Sequence, residues 1–169
     1  MSMNVEIRPV EAHEVEDVAA LARIVWQHAY PGIISQAQID FMLAQRYGAE
    51  HMRTELATPG VWWDQAFVAG ERVGFASSLL TGEPGEIKLD KLYVHPERQR
   101  SGIGGALIRR VVEHGRASDC TRLILAVNKN NVRAIASYEK NGFAIVDSVR
   151  VDIGNGFVMD DFIMARSIA

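Results

Sequence analysis

Residues 92–107 read Leu92-Tyr93-Val94-His95-Pro96-Glu97-Arg98-Gln99-Arg100-Ser101-Gly102-Ile103-Gly104-Gly105-Ala106-Leu107, and the order of residue types in this run decides the fold. An apolar, β-rich stretch meets a Pro-containing loop, the loop becomes glycine-rich, and an amphipathic helix follows. Bare backbone N–H groups are thereby set at a helix N-terminus, beside Arg98 and Arg100. First-turn donors lack intrahelical acceptors and the helix dipole favours an anion, so such a place binds phosphate. The glycines let a phosphate approach the backbone with no Cβ in the way. A P-loop would need Gly-x-x-x-x-Gly-Lys and then Ser or Thr, and no such run exists. A dinucleotide fingerprint would need a third glycine where Leu107 stands.

A second block lies downstream. Residues 123–143 read Leu-Ile-Leu-Ala-Val-Asn-Lys-Asn-Asn-Val-Arg-Ala-Ile-Ala-Ser-Tyr-Glu-Lys-Asn-Gly-Phe. An apolar strand ends at Asn128, and the spacing predicts a short helix from Asn131 to Lys140. Asn131 is a good N-cap type, and Gly142 stands where helices exit through a left-handed residue. Three motifs follow one another: Gln99-x-x-Gly102-x-Gly104 after a strand, then Val127-Asn128-x-x-Asn131-x-x-Ala134, then Tyr138-Glu139-Lys140-x-Gly142-Phe143. Together they resemble the motifs of the GNAT N-acetyltransferase superfamily, in that superfamily's order and with a helix and a strand between the blocks.

The resemblance implies a fold and a ligand. The fold is α/β (α+β), GNAT-like: a mixed, mostly antiparallel twisted sheet of about seven strands with helices on both faces, splayed between the fourth and fifth strands. The ligand is acetyl-coenzyme A, acting as cosubstrate, with its pantetheine arm lying in the splay like an added strand. By the same resemblance it is held by Leu92, Tyr93 and Val94 on the strand and by Gln99, Arg100, Ser101, Gly102, Ile103, Gly104 and Gly105 in the loop and first helical turn. Asn128, Asn131, Ala134 and Tyr138 complete the set. Tyr138 matches the superfamily tyrosine that points at the leaving sulfur. A phenol of pKa about 10 can protonate a thiolate without being ionised at neutral pH. Val94 or its neighbour offers an N–H to the oxyanion.

Many relatives carry a glutamate at the position of Lys88, and a lysine is no base there without a strongly lowered pKa. Glu86 and Asp90 lie two residues either side and share its face by strand alternation, so they are the candidate bases. A water chain with no single base is the other reading. For the acceptor, Trp26, His28 and Tyr30 precede the helix break at Pro31-Gly32, where loops on a rigid scaffold hold substrates. Ordinary packing beneath the loop is the alternative for Trp26.

The 169 residues suit one domain spanning 1–169, with 48% apolar residues and mixed charge. A net charge of −3 gives no reason to expect nucleic acid as a partner. No apolar run reaches the roughly 20 residues of a membrane span, and Met1-Ser2-Met3-Asn4-Val5-Glu6 lacks the pattern of a secretory leader. The single Cys120 excludes an internal disulfide and is expected to be structural. A cytoplasmic location follows as the expectation. His13, His51, His95 and His114 have no metal-ligand spacing, so no metal is expected.

Along the chain, a strand at Asn4–Val10, helices at Glu11–His28 and Ser35–Arg46, and a third helical set at Ala49–Leu56 precede the first hairpin. That hairpin, Trp63–Ala69 with Arg72–Leu80, turns at Gly70-Glu71. Glu86–Val94 feeds the loop, Ser101–Arg116 is the next helix, and Arg122–Val127 the next strand. Phe143–Val151 and Phe157–Ala165 close the chain around Gly154-Asn155-Gly156. The last strand, placed at a sheet edge, makes homodimerisation the expected assembly. The expected activity is acetyl transfer to a primary amine of a small molecule, an amino acid or polyamine, by direct attack in a ternary complex. Protein or peptide N-acetylation and a non-catalytic acyl-coenzyme A-binding module are the alternatives; Lys88 favours the last and Tyr138 opposes it.

Overall fold

The described residues form, in chain order, β1 (Val5–Pro9), α1 (Val15–Ala29), α2 (Gln36–Arg46), α3 (Ala49–Leu56), β2 (Val61–Val68), β3 (Glu71–Leu80), β4 (Glu86–Val94), α4 (Ile103–Ala117), β5 (Arg122–Asn128), α5 (Val132–Lys140), β6 (Ala144–Gly154) and β7 (Phe157–Ser167). The computed structural model describes residues 4–169. Met1, Ser2 and Met3, on which the leader reading partly rests, lie outside the described residues.

Local chemistry sets the ends of these elements. Ser35 caps α2 by accepting the Gln38 N–H at 3.1 Å, and Asn131 caps α5 by accepting the Ala134 N–H at 3.3 Å. The helix expected from Glu11 begins instead as a 3-10 turn, Ala12–Glu14, in which the Glu14 carboxylate accepts the Glu11 N–H. The β2–β3 turn is Ala69-Gly70, one residue earlier than expected. Both are left-handed, at φ 50° and 79°, so Glu71 already pairs with Val68. Asn155-Gly156 makes the same kind of two-residue turn between β6 and β7, at φ 54° and 78°.

The sheet order is β1-β2-β3-β4-β5-β7-β6, with every neighbouring pair antiparallel except β4 and β5. One expectation is corrected here: β7 is not at the edge. It pairs with both β5 and β6 and buries Asp161 and Met164, whereas the outer strand β6 leaves Ile145, Val146 and Val151 about half exposed. On one face, Ile103, Leu107 and Val111 of α4 pack on Ile87, Leu89, Leu123 and Leu125, with α5 laid alongside. On the other, α1–α3 bury Val18, Trp26, Ile39 and Met52 against Trp63 and Phe75. Gly74 allows the close seat of α4, since a Cβ there would lie 3.0 Å from the Tyr93 carbonyl oxygen and 3.3 Å from Ile103.

The feature that positions the site is the incomplete pairing of β4 with β5. Only Glu86–Leu89 of β4 pair with Arg122–Leu125. Beyond them the strands part: β4 stays with β3 as far as Val94, and β5 stays with β7 as far as Asn128. Lys91 pairs with Ser77 and Leu89 with Ser78, so Asp90 is the extra residue of a β-bulge, sited where the strands separate.

Candidate active site

One wall of the opening is β4. The His95 N–H donates to the Val73 carbonyl of β3 at 2.8 Å. Donors alternate along a strand, so the Leu92 and Val94 amides turn away from β3 and into the gap. His95 then caps a 3-10 turn, Pro96–Arg98, its Nδ1 accepting the Glu97 N–H at 3.1 Å. Arg100 and Gly102 are left-handed, at φ 66° and 83°, and Ser101 between them donates its hydroxyl to the Arg98 carbonyl. Such a bend aims successive amides the same way. Ala106 is the first α4 amide with a helical acceptor, Gly102 O at 3.1 Å, which leaves the N–H groups of Ile103, Gly104 and Gly105 without one. A Cβ on Gly102 would meet nothing. On Gly104 or Gly105 it would meet only ordinary contacts, at 3.9 and 3.5 Å. The chain's own packing therefore does not demand glycine at 104 or 105. Arg98 pairs with Glu71 at 3.0 Å, while Arg100 forms no ion pair among the described residues. Gln99 reaches the Val94 carbonyl at 3.5 Å.

The facing wall is the end of β5 and the start of α5. Asn128 Oδ1 accepts the Asn130 N–H at 2.8 Å and turns the chain out of the sheet. Asn131 spends its Oδ1 on the cap, and its NH2 bonds to no protein group among the described residues. Ala134 and Tyr138 are half-buried against the α4-side core, with the Tyr138 ring edge-on to Phe143 at 5.7 Å. Burial, with a smaller contribution from Tyr30, raises the Tyr138 pKa, so the phenol stays protonated at neutral pH.

On the α1–α3 side, the Tyr30 and Tyr93 hydroxyls hydrogen-bond at 2.9 Å. The Trp26 ring lies 4.5 Å from Tyr30 and 5.7 Å from Tyr93. Trp26 is only 1% exposed, so it packs beneath the two tyrosines rather than lining the opening. His28 is exposed, two residues further along α1 and on the opposite side of the helix, apart from this cluster. Burial raises the pKa of both Tyr30 and Tyr93.

The structure does not bring Glu86 to the opening. It lies at the paired end of β4, where it accepts the Thr81 hydroxyl at 2.8 Å and sits 3.9 Å from Arg122. That is six residues from Leu92, or roughly 20 Å at about 3.3 Å per residue. Asp90 is at the point of separation but is engaged. The bulge turns it to the same side as its neighbour Lys91, and it binds Lys91 at 2.6 Å and Arg46 at 3.2 Å. Burial alone would raise its pKa, but Lys91 and then Arg46 outweigh that and hold it at about 2. A carboxylate so weakly basic is a poor proton acceptor near neutrality.

Two residues were missed by the sequence reading: Arg46, which anchors Asp90, and Asp161. Asp161 lies on β7 opposite Asn128, is 3% exposed, and has an Oδ1 with no hydrogen-bond partner. Burial raises its pKa; Arg46 and Lys88 offset part of the rise. The available signal was an acid between Met159 and Ile163 on one face of an apolar strand. Glu11, His13 and Glu14 also come together, but the Glu14 carboxylate is already taken by Arg8, Arg72 and Gln65.

A sheet parted between two parallel strands, with bare helix amides at its mouth, is the arrangement of the N-acetyltransferase fold. The chain belongs to the acetyltransferase (GNAT) family, whose model matches residues 18–143. It is 25% identical to the spermidine N(1)-acetyltransferase of Thermoplasma acidophilum over 162 residues, which are 94% of this chain and 97% of that protein. The crystal structure of the PaiA N-acetyltransferase of Thermoplasma acidophilum, in complex with coenzyme A, superposes with a TM-score of 0.84 over 98% of this chain and 99% of that one, at 25% identity. A GCN5-related N-acetyltransferase from Rhodopseudomonas palustris shares the fold with a TM-score of 0.81 over 99% of this chain and 98% of its own, at 24% identity. No helix among the described residues is long and apolar enough to cross a membrane.

Proposed function

We propose that the chain transfers the acetyl group of acetyl-coenzyme A to a primary amine of a small molecule. The observation that carries this is the gap beyond Leu89 and Leu125, which ends on the unpaired amides of Ile103, Gly104 and Gly105. The fit is supported by the open space at Gly102 and by Gly104 and Gly105, where a Cβ would meet only ordinary contacts and the chain's own packing does not demand glycine. Leu92, Tyr93 and Val94 would line the carrier on one side. Asn128, Asn131 and Ala134 would line it on the other, with Gln99, Arg100 and Ser101 at its diphosphate end. When bound, the carrier supplies a thioester whose acyl carbon a neutral amine attacks. The Val94 amide, turned into the gap, would hold the acyl oxygen as it gains charge. Tyr138 would give its hydroxyl proton to the departing sulfur.

A small acceptor is favoured because α2 closes onto the β6–β7 hairpin. Gln38 donates to the Val158 carbonyl at 3.1 Å, and Phe41 lies 5.4 Å from Phe157. An extended peptide entering between α2 and the hairpin would have to part these contacts. Tyr30, Tyr93 and Met159 give an apolar wall for an alkyl stem, consistent with a relative that acts on spermidine. For assembly, the homodimer expected from an edge strand attaches to β6 rather than β7. The test is a panel of polyamines, diamines, amino acids and peptides, with mass detection of the acetylated product and an assay of thiol release. Acetylated small amines support the reading; product only from peptides, or binding of coenzyme A with no product from any amine, contradicts it.

A further inference from the structure

We propose that Asp161 receives the ammonium of the acetyl acceptor and takes its proton. This rests on the small-amine reading above and names the group that holds that substrate. Alternation along β7 sends Phe162 and Met164 to the α4-side core, and Met159 and Asp161 to the opposite face, where Met159 joins Tyr30 and Tyr93. Asp161 pairs with Asn128, the last residue of β5, and so lies at the open end of the gap.

The charged and titratable groups near enough to influence it are Arg46 of α2, Lys88 of β4 and Tyr30 of α1, with Asp160 and Lys129 beside it. Arg46 is bound to Asp90 at 3.2 Å, Lys129 to Asp160 at 2.8 Å, and the Tyr30 hydroxyl to Tyr93 at 2.9 Å. Lys88 forms no ion pair among the described residues. Asp161 thus sits among cations that are bonded elsewhere or unbonded, and its own Oδ1 bonds to none of them. A buried carboxylate oxygen without a donor is costly, and such a group calls for a partner that the folded chain does not supply. A primary ammonium supplies positive charge and three donors, and the apolar tyrosine and methionine walls suit its alkyl stem.

The proton balance closes. One ammonium proton passes to Asp161 and then to solvent. The neutral amine forms the C–N bond as the C–S bond breaks. The second N–H proton leaves the nitrogen and replaces the one that Tyr138 gives to sulfur.

The test compares Asp161→Asn with the unaltered chain, using spermidine and 1,4-diaminobutane as acceptors and calorimetry for coenzyme A. Asp161→Asn is expected to lower kcat/KM about 100-fold or more, to keep coenzyme A affinity within about two-fold, and to abolish the acidic limb of the kcat/KM pH profile. Its melting temperature should be at least that of the parent, since an unpaired buried carboxylate has been removed. Asp160→Asn, altering an exposed neighbour whose charge raises the Asp161 pKa, should keep the parent's plateau kcat/KM while its acidic limb moves to lower pH. A parent that acetylates amines and an Asp161→Asn variant with the same kcat/KM overturn the assignment of Asp161 alone. An acidic limb that persists in the variant overturns the proton-accepting role. A parent that neither binds coenzyme A nor acetylates any amine overturns the acetyltransferase reading, and Asp161 with it.

Discussion

Replacing Asp90 by Asn should destabilise the protein without touching the acetyl-transfer groups. Asp90 titrates at about 2 rather than the ordinary 3.8, because Lys91 at 2.6 Å and Arg46 at 3.2 Å outweigh its burial. That gap of about 1.8 pH units corresponds to about 2 kcal/mol at 1.36 kcal/mol per unit. The contribution is fully present above the ordinary carboxylate pKa and is lost as pH falls from about 4 toward 2. The Asp90→Asn variant forfeits it and also leaves the Lys91 ammonium buried over Trp63, with Glu55, 4.0 Å away, as its remaining anion among the described residues. Removing one member of a buried pair typically costs about 3–5 kcal/mol. The two figures together place the loss near 3 kcal/mol, or roughly 10 °C in Tm for a chain of this size. Burial already lowers the Lys91 pKa, and losing Asp90 lowers it further, so the unfolded variant binds the extra proton. The stability of Asp90→Asn should therefore rise with pH on the alkaline side. Urea unfolding between pH 2 and 10 measures both effects. Adding Lys91→Met should restore part of the loss, because it removes the buried ammonium that Asp90→Asn leaves without its partner, while Arg46 stays without the carboxylate. A single variant within about 0.5 kcal/mol of the parent at pH 7 would refute the assignment of Asp90 to a structural ion pair.

Tyr138→Phe should lower kcat by about 100-fold while leaving coenzyme A affinity nearly unchanged, as read by steady-state kinetics and calorimetry; equal turnover removes Tyr138 from the reaction. Gly104→Val should fold, since a Cβ there meets only Val94 at 3.9 Å, yet weaken coenzyme A binding about ten-fold or more; unchanged affinity would contradict a ligand over that glycine. Lys88→Met removes a positive charge that lowers the Asp161 pKa. The acidic limb of kcat/KM should therefore move to higher pH, and a limb that stays in place would separate Asp161 from that limb.

The strand-loop-helix of residues 92–107 was legible because its signals are local: β-branched and aromatic residues, then Pro, then glycines, then helical spacing. Asn131 and Gly142 likewise mark the ends of α5 by side-chain and backbone chemistry that needs no distant partner. The sheet order of the last hairpin was not legible. An alternating strand looks the same at an edge and one place inward, and only the pairing of β7 with β5, more than thirty residues earlier in the chain, decides it. That misplacement hid Asp161, since an acid on an edge strand needs no partner and the same acid on an inner strand is buried. The alternation that paired Glu86 and Asp90 with the Lys88 face assumed a regular strand. Asp90 does share the Lys88 face, toward Arg46 of α2, but the bulge also brings Lys91 onto it, a contact between adjacent residues that a regular strand forbids. Trp26 and His28 show the same limit on a helix: proximity in sequence to the Pro31-Gly32 break placed both near the opening, and helical rotation buried one and exposed the other.

Amide hydrogen exchange with and without coenzyme A tests most directly whether the parted strands and the helix mouth form the carrier site. Exchange should slow at Leu92, Val94, Ile103, Gly104 and Gly105, whose donors face the opening, and change little along the paired segment Glu86–Leu89. Saturating coenzyme A that leaves those five amides exchanging at their original rates would contradict the account.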